Sequence, residues 1–192
     1  MTHLVACQAG QSIDPQIAGQ WVTDSWQRDQ HTVWEIEWPA MPVAGPVTVE
    51  TWRAGERYRY EILEAPSPML GGETLIFDGE RAWHYNRFDP EPPLETREPW
   101  LSPISDAFAL ITTLLENPPA EARQAADTLR SGPSQRLTFD FETGQQLIFW
   151  RDEATGLPVR LHILGPELSL SLDSRSVEPL IDPPPGLFKP TK

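Results

Sequence analysis

The chain has 192 residues, and 28 acidic against 15 basic side chains give it a formal net charge of −13 at pH 7. A surface this acidic repels phosphate backbones, so we expect no nucleic-acid partner. A single domain of this length can bury about 70% of the surface that the unfolded chain exposes. Cys7 is the one cysteine in the sequence, which excludes an intramolecular disulfide and a zinc site built from cysteines.

The N-terminal segment 4–7, with the sequence Leu-Val-Ala-Cys, resembles a bacterial lipobox, in which the cysteine is diacylated after signal cleavage. Only six residues precede Cys7, without a basic n-region or a full apolar h-region. A lone thiol in a frayed N-terminus is the alternative. We predict a lipid anchor on Cys7, with residues 1–12 as lipobox remnant and tether and residues 13–192 as a single domain.

Three segments are predicted to be helical. The first, from Asp14 to Arg28, begins with Asp-Pro, an N-cap followed by proline at the first helical position, although residues 21–23 could equally begin a strand. The second runs from Ser105 to Leu115 and the alanine-rich third from Ala120 to Leu129. We expect the last two to form a helical insert between two sets of strands.

Nine segments alternate apolar and polar side chains, as strands covered on one side do. They are residues 31–38, 47–52, 57–63, 74–77, 82–86, 137–141, 145–151, 157–164 and 168–172. Asp78-Gly79 is a strong hairpin signal, with a turn of two or four residues. Five prolines in residues 88–103 argue against regular structure there. The pattern predicts an α+β fold, a curled antiparallel sheet of about nine strands with the helical insert across its concave face.

The sequence shows no catalytic pattern. It has no Gly-x-Ser-x-Gly turn and no glycine-rich phosphate loop, and its four histidines lack the spacing of a metal site. Glu35 and Glu37 share a strand face, but a solvated surface explains such a pair better than acid–base chemistry does. We therefore expect no enzymatic activity, no cofactor and no metal.

The candidate ligand-binding residues are the apolar side chains on the predicted strands and insert. They are Trp34, Trp38, Tyr58, Tyr60, Phe77, Trp83, Tyr85, Phe108, Ile111, Phe139, Phe149 and Leu161. Either they form a core packed against the helices, or the sheet encloses more volume than one short insert fills and leaves an apolar pocket. Such a pocket would suit acyl chains, since each buried methylene contributes about 0.8 kcal/mol. The sequence leaves both alternatives open.

Three strand–turn–strand patterns and the tail carry a resemblance to a known family. They are Trp52–Glu61 with its final Arg-x-Glu, Phe77–Tyr85 with Asp-Gly-x-x-x-Trp-x-Tyr, Trp150–Arg160 with Asp-x-x-Thr-Gly-Leu-Pro, and the proline-rich tail with Leu187-Phe188. Together they resemble the outer-membrane lipoprotein carrier (LolA-like) superfamily, which includes periplasmic carriers, the sigma-factor regulator RseB and the mycobacterial lipid-binding lipoproteins.

This resemblance implies an unclosed β-barrel around a helical lid, with an apolar cavity for lipid or lipoprotein acyl chains. In the carrier the matching arginine holds the lid, which points to Arg59, although strand alternation places Arg59 opposite Tyr58 and Tyr60. With the lipobox, the resemblance implies an extracytoplasmic, lipid-anchored protein of the cell envelope that binds a lipid or another hydrophobic ligand. The alternative is an RseB-like regulatory module with a filled core and a protein partner.

Overall fold

The computed structural model describes residues 10–37, 45–68, 70–96, 111, 119, 121–166 and 169–190, which contain one α-helix, twelve β-strands and a further helical position at Ile111. The elements are β1 (Gln11–Ser12), α1 (Pro15–Gln27), β2 (Gln30–Glu37), β3 (Val47–Ala54), β4 (Arg57–Glu64), β5 (Glu73–Phe77), β6 (Ala82–Asn86), β7 (Leu94–Thr96), β8 (Glu121–Leu129), β9 (Gly132–Asp140), β10 (Gln146–Asp152), β11 (Pro158–Leu164) and β12 (Ser169–Pro179).

The strands form a single sheet in the order β1-β8-β9-β10-β11-β12-β2-β3-β4-β5-β6-β7, and every pair is antiparallel. Within the described residues β1 and β7 are edges that do not pair with each other, so the sheet is not closed. The pairing of β12 with β2 joins the C-terminal strands to the N-terminal ones. All nine predicted strands are present, and the predicted open antiparallel sheet is confirmed with three strands more.

The prediction of a helix at Ala120 to Leu129 is wrong, because Glu121–Leu129 is strand β8. Its residues pair one by one with β9, and β1 covers part of the other edge. Ala122 is buried in the main core, while the residues on either side of it are exposed, which is the period-two pattern of a strand. The helix propensity of alanine is a weak preference that this long-range pairing overrides.

Two further segments bear on the predicted insert. β7 lies in the proline-rich stretch 88–103, where the sequence analysis expected no regular structure. It is an edge strand that begins directly after two prolines, and proline is tolerated at that position. The predicted helix from Ser105 to Leu115 lies outside the described residues except at Ile111. There the backbone is helical and the side chain is only 2% exposed, packed in the main core.

The first predicted helix is confirmed as α1. The Asp14 carboxylate accepts hydrogen bonds from the backbone N–H groups of Gln16 at 2.8 Å and Ile17 at 3.4 Å, and Pro15 begins the helix. This capping satisfies donors that have no partner within the helix. Ala18 and Val22 are fully buried against the sheet, so α1 itself covers much of the face that the insert was expected to cover.

We call the face of the sheet that packs against α1 the inner face. Its buried residues form a main core cluster with α1 and Ile111. The members are Ala18, Val22, Trp34, Ile36, Val47, Val49, Ile62, Ile111, Ala122, Leu137, Phe139, Phe141, Leu147, Phe149, Leu161, Ile163, Leu170 and Leu172. Trp26 of α1 lies 5.8 Å from Trp34, ring centroid to ring centroid. Over β8–β12 and β2 the inner face is therefore a filled core.

The opposite, outer face carries a second cluster, which we call the outer cluster. It consists of Trp52, Ala54, Ile76, Trp83, Tyr85, Leu180, Leu187 and Phe188. Its last three members belong to the C-terminal tail, residues 180–190, which packs on the outer face of β3–β6. The backbone N–H of Leu180 donates to the carbonyl of Asp29, and Phe188 is 5% exposed. Leu187 and Phe188 thus anchor the C-terminal tail to the sheet.

The structure corrects the expectation that Trp83 and Tyr85 share a face with Phe77. In the β5–β6 pair Trp83 lies opposite Ile76 and Tyr85 opposite Thr74, whereas Phe77 lies opposite Ala82. Residues directly opposed across an antiparallel pair point to the same face, so Trp83 and Tyr85 are on the outer face. The turn between β5 and β6 has four residues, 78–81. A two-residue turn would shift the pairing by two positions, so Trp83 and Tyr85 would still lie on the face opposite to Phe77.

Candidate functional site

The candidate site lies on the inner face of β4 and β5, next to the main core. Tyr58 and Tyr60 are two positions apart on β4, and the pairing with β5 sets Phe77 opposite Tyr58 and Leu75 opposite Tyr60. The ring centroids of Tyr58 and Tyr60 are 4.9 Å apart, and those of Tyr58 and Phe77 are 5.2 Å apart, with stacked planes in both cases. We call Tyr58, Tyr60 and Phe77 the aromatic platform.

The platform lies where the filled core gives way to exposed surface. Tyr60 packs against the main core, and Leu75 beside it is 3% exposed. Tyr58 and Phe77 are half-buried, and His84 on the next strand is also only partly covered. Leu94, which the β6–β7 pairing places on the same face as His84, is 60% exposed. Apolar surface therefore remains accessible on this part of the inner face.

The two phenols of the platform are neutral, and their pKa values are raised further above the ordinary value. Burial raises the pKa of Tyr58 to about 12, while the nearby Arg53 guanidinium acts in the opposite direction. The pKa of Tyr60 is also raised, first by burial and then by Tyr58. At physiological pH both hydroxyl groups are therefore uncharged and can donate or accept hydrogen bonds.

Arg53 adds a positive charge to the edge of the platform. It lies opposite Tyr58 in the β3–β4 pair and follows Thr51 on the inner face. Its Nε atom is buried, and within the described part of the chain this atom has no hydrogen-bond partner and Arg53 has no ion pair with a carboxylate. The sequence analysis missed this residue, although the alternation of Val49, Thr51 and Arg53 along the strand could have indicated it.

The structure brings together most of the predicted ligand-binding residues but gives them different environments. Those buried in the main core, at most 2% exposed, are Trp34, Ile111, Phe139, Phe149 and Leu161. Trp83 and Tyr85 are in the outer cluster. Trp38, Phe108 and Cys7 lie outside the described residues. The platform residues are thus the described members of the predicted set that combine an aromatic side chain, the inner face and partial exposure.

Arg59 faces the outer surface, as strand alternation predicts. It pairs with Glu61 at 3.0 Å, and Glu61, whose side chain is buried, also pairs with Arg87. A guanidinium nitrogen of Arg59 donates to the carbonyl of Leu187 at 3.4 Å, and the guanidinium lies 5.5 Å from the ring centroid of Trp52. The Arg-x-Glu pattern is therefore an ion pair beneath the C-terminal tail. A lid-holding role for Arg59, which the resemblance implies, stays a prediction.

Metal sites and membrane-spanning helices are two other classes of feature that could define a function. No group of three or more His, Cys, Asp or Glu side chains in the described ranges is arranged to hold a metal ion. No helix in the same part of the chain is long and apolar enough to cross a membrane.

Comparison with solved structures finds several proteins of similar fold. A structure of an uncharacterized conserved protein from Thermus thermophilus has a TM-score of 0.58 and 11% identity, over 92% of this chain and 93% of that chain. A chain of the Pseudomonas aeruginosa MucA/MucB complex gives a TM-score of 0.55 and 14% identity, over 86% of this chain and 59% of that chain. A LolA superfamily protein from Nitrosomonas europaea gives a TM-score of 0.42 and 9% identity, over 93% of this chain and 98% of that chain.

No family model matches the sequence, and the comparison with curated proteins also finds no match. At these identities the two matches with a TM-score above 0.5 establish the fold alone. They support the expected fold, a single open antiparallel sheet. Since the chain spans less than two thirds of the matched chain of the MucA/MucB complex, the binding partner of that complex does not carry over with the fold.

Proposed function

We propose that this chain is a non-catalytic binding protein of the cell envelope that holds the apolar part of a lipid or similar hydrophobic ligand on the aromatic platform. The observation that carries the proposal is the stack of Tyr58, Tyr60 and Phe77, half-buried on the inner face beside a filled core. Each ligand methylene buried there would contribute about 0.8 kcal/mol, and stacked rings lose little conformational freedom on binding.

Arg53 supports a narrower choice of ligand. Its guanidinium is next to the platform and has no carboxylate partner in the described part of the chain, in a protein of net charge −13. A ligand carboxylate or phosphate would complete a charge-assisted hydrogen bond there, and the neutral hydroxyl of Tyr58 could donate to the same group. The proposed ligand is therefore an anionic amphiphile, such as a fatty acid, rather than a neutral lipid.

The test is displacement of a fluorescent fatty-acid probe from the full-length chain by palmitic acid and by hexadecanol. Replacing Phe77 with Ser should weaken palmitate binding about tenfold or more, because burial of a phenyl ring contributes roughly 1.5–3 kcal/mol. Phe88→Ser is the matched control, since Phe88 is 70% exposed and lies outside the platform. Arg53→Gln should remove the preference for the acid over the alcohol and leave binding of the alcohol unchanged.

Failure of the wild-type protein to take up the probe, or equal weakening by Phe77→Ser and Phe88→Ser, would contradict the proposal.

The lipid anchor on Cys7 belongs to the same proposal. The measurement is the intact mass of protein extracted from bacterial membranes. Diacylation should raise the mass of the wild-type protein, and the Cys7→Ser variant should lack this increase. An unmodified mass would exclude the anchor without affecting the platform.

The alternative function is that of a protein-interaction module. It is supported by the filled core over β8–β12 and β2, and by the fold shared with a chain of the MucA/MucB complex. A wild-type protein that binds no probe but forms a stable complex with a periplasmic protein segment, measured by native mass spectrometry, would favour this alternative.

A further inference from the structure

A cavity lies on the sheet away from the platform, where the end of α1 meets the turn between β10 and β11. Its volume is about 470 Å³, within the range of small-molecule sites. The walls come from the residue after α1, the ends of β8–β10 and the β10–β11 turn, residues 153–157. Two arginines, Arg28 and Arg151, line this cavity, which we call the arginine groove.

Both arginines are held in place by neutral groups. Arg28 donates a hydrogen bond from a guanidinium nitrogen to the carbonyl of Thr155 at 2.8 Å. Arg151 donates from Nε to the side-chain oxygen of Gln135 at 2.7 Å, and its guanidinium lies 4.5 Å from the ring centroid of Trp21. A guanidinium has five N–H donors, so each arginine keeps donors beyond those that position it.

The β10–β11 turn packs against the guanidinium of Arg28. Gly156 has φ of +68°, and a Cβ atom added there would lie 3.3 Å from Cζ of Arg28, so glycine at this position leaves room for the guanidinium. The pKa of Arg151 is lowered first by burial and then by repulsion from Arg28. Two positive charges therefore converge on one cavity of a chain whose net charge is −13.

No carboxylate forms an ion pair with either arginine in the part of the chain that the structure describes. Asp152 lines the groove, but its Oδ1 atom accepts from the backbone N–H groups of Ala154 and Thr155 and from the Thr155 hydroxyl, which builds the turn. Glu153 also lines the groove, and Asp24 lies near enough to Arg151 to favour its charged form. The two guanidinium groups therefore have acidic neighbours but no direct ion pair with a described carboxylate.

Strand pairing decides which side chains near the groove face it. Gln135 lies opposite Arg151 in the β9–β10 pair, so their side chains share the inner face, whereas Ser134 lies opposite Asp152 and its side chain points to the other face. The groove thus presents two guanidinium groups that no described carboxylate pairs with.

We propose that the arginine groove binds a small organic anion through one carboxylate or phosphate group held between Arg28 and Arg151. Planar guanidinium groups match the two oxygens of such a group, and their hydrogen bonds to it are charge-assisted. The apolar wall contributed by Ala126 and Ala154 would contact the carbon skeleton of the ligand. This site is separate from the aromatic platform, and it does not depend on the proposed function.

Isothermal titration calorimetry of the full-length chain at low ionic strength, with inorganic phosphate and with citrate as probes, tests the proposal. We expect saturable binding of at least one probe at one site per chain, and the probe that binds identifies the acid group. Arg28→Gln and Arg151→Gln should each weaken binding about tenfold or more, since a hydrogen bond to a charged group contributes roughly 1.5–3 kcal/mol. Arg123→Gln is the control, because Arg123 pairs with Asp140 outside the groove.

Circular dichroism checks that each variant folds. If a glutamine variant does not fold, the corresponding Arg→Lys variant replaces it, because lysine keeps the charge but loses the planar fork and should still weaken binding. Three results would each overturn the proposal: no saturable binding of either probe up to about 10 mM, unchanged affinity in the Arg28 and Arg151 variants, or equal weakening by Arg123→Gln.

Discussion

Replacement of Phe188 by Ala tests whether the C-terminal tail is part of the folded domain. Phe188 is 5% exposed in the outer cluster, and the guanidinium of Arg57 lies 5.0 Å from its ring centroid. Phe→Ala changes in cores cost about 3–5 kcal/mol. We expect a loss of about 3 kcal/mol in the free energy of unfolding, at the low end of that range, because the cluster is small and a surface tail can settle into the space left by the ring.

The measurement is urea unfolding followed by circular dichroism. With a slope near 2 kcal/mol per M of urea, a loss of about 3 kcal/mol lowers the midpoint by about 1.5 M. Ile181→Ala is the matched control in the same tail, since Ile181 is 79% exposed and should change stability by less than about 0.5 kcal/mol. If both variants unfold at the same urea concentration, the tail does not stabilise the sheet and the reasoning fails.

Two further predictions concern buried or paired carboxylates. Glu61→Gln removes the charge that pairs with Arg59 and Arg87. Because the charge of the buried Arg59 is then uncompensated, the free energy of unfolding measured in urea should fall by about 3 kcal/mol. An equal loss for Glu64→Gln, whose side chain is 72% exposed, would contradict this. Hydrogen bonds from His162 and then Arg160 lower the pKa of Asp173. The stability that this carboxylate adds is therefore fully present above the unfolded pKa of about 3.9, and it is lost as the pH falls through the folded pKa. Asp173→Asn should therefore flatten the decline of the unfolding free energy between about pH 5 and pH 3, and an unchanged decline would refute the assignment.

Most of the secondary structure was predictable from local sequence. Asp14-Pro15 predicts the start of α1, and its carboxylate caps the helix as expected. The nine predicted strands are present because their period-two alternation is a property of each segment alone. The Asp-x-x-Thr-Gly pattern predicts the β10–β11 turn, where Asp152 accepts hydrogen bonds from Thr155 and from the turn backbone. These features depend on residues within a few positions of each other.

The candidate site was predictable only in part. The sequence identified Tyr58, Tyr60 and Phe77 as apolar-face residues, and the structure stacks their rings. It could not separate them from Phe139 and Phe149, which have the same alternation but lie under α1 in the filled core. Packing of a helix distant in the chain determines which aromatic residues stay accessible.

The strand alternation, the cap of α1, the glycine turns and the acidic balance follow from the sequence alone. Three features depend on long-range packing: the alanine-rich segment 121–129 is a strand, Trp83 and Tyr85 lie under the C-terminal tail, and Arg28 and Arg151 line one groove. The physical reason is the same in each case. Alternation shows which residues of a strand share a face, but the face that becomes buried is chosen by pairing and packing between segments far apart in the chain.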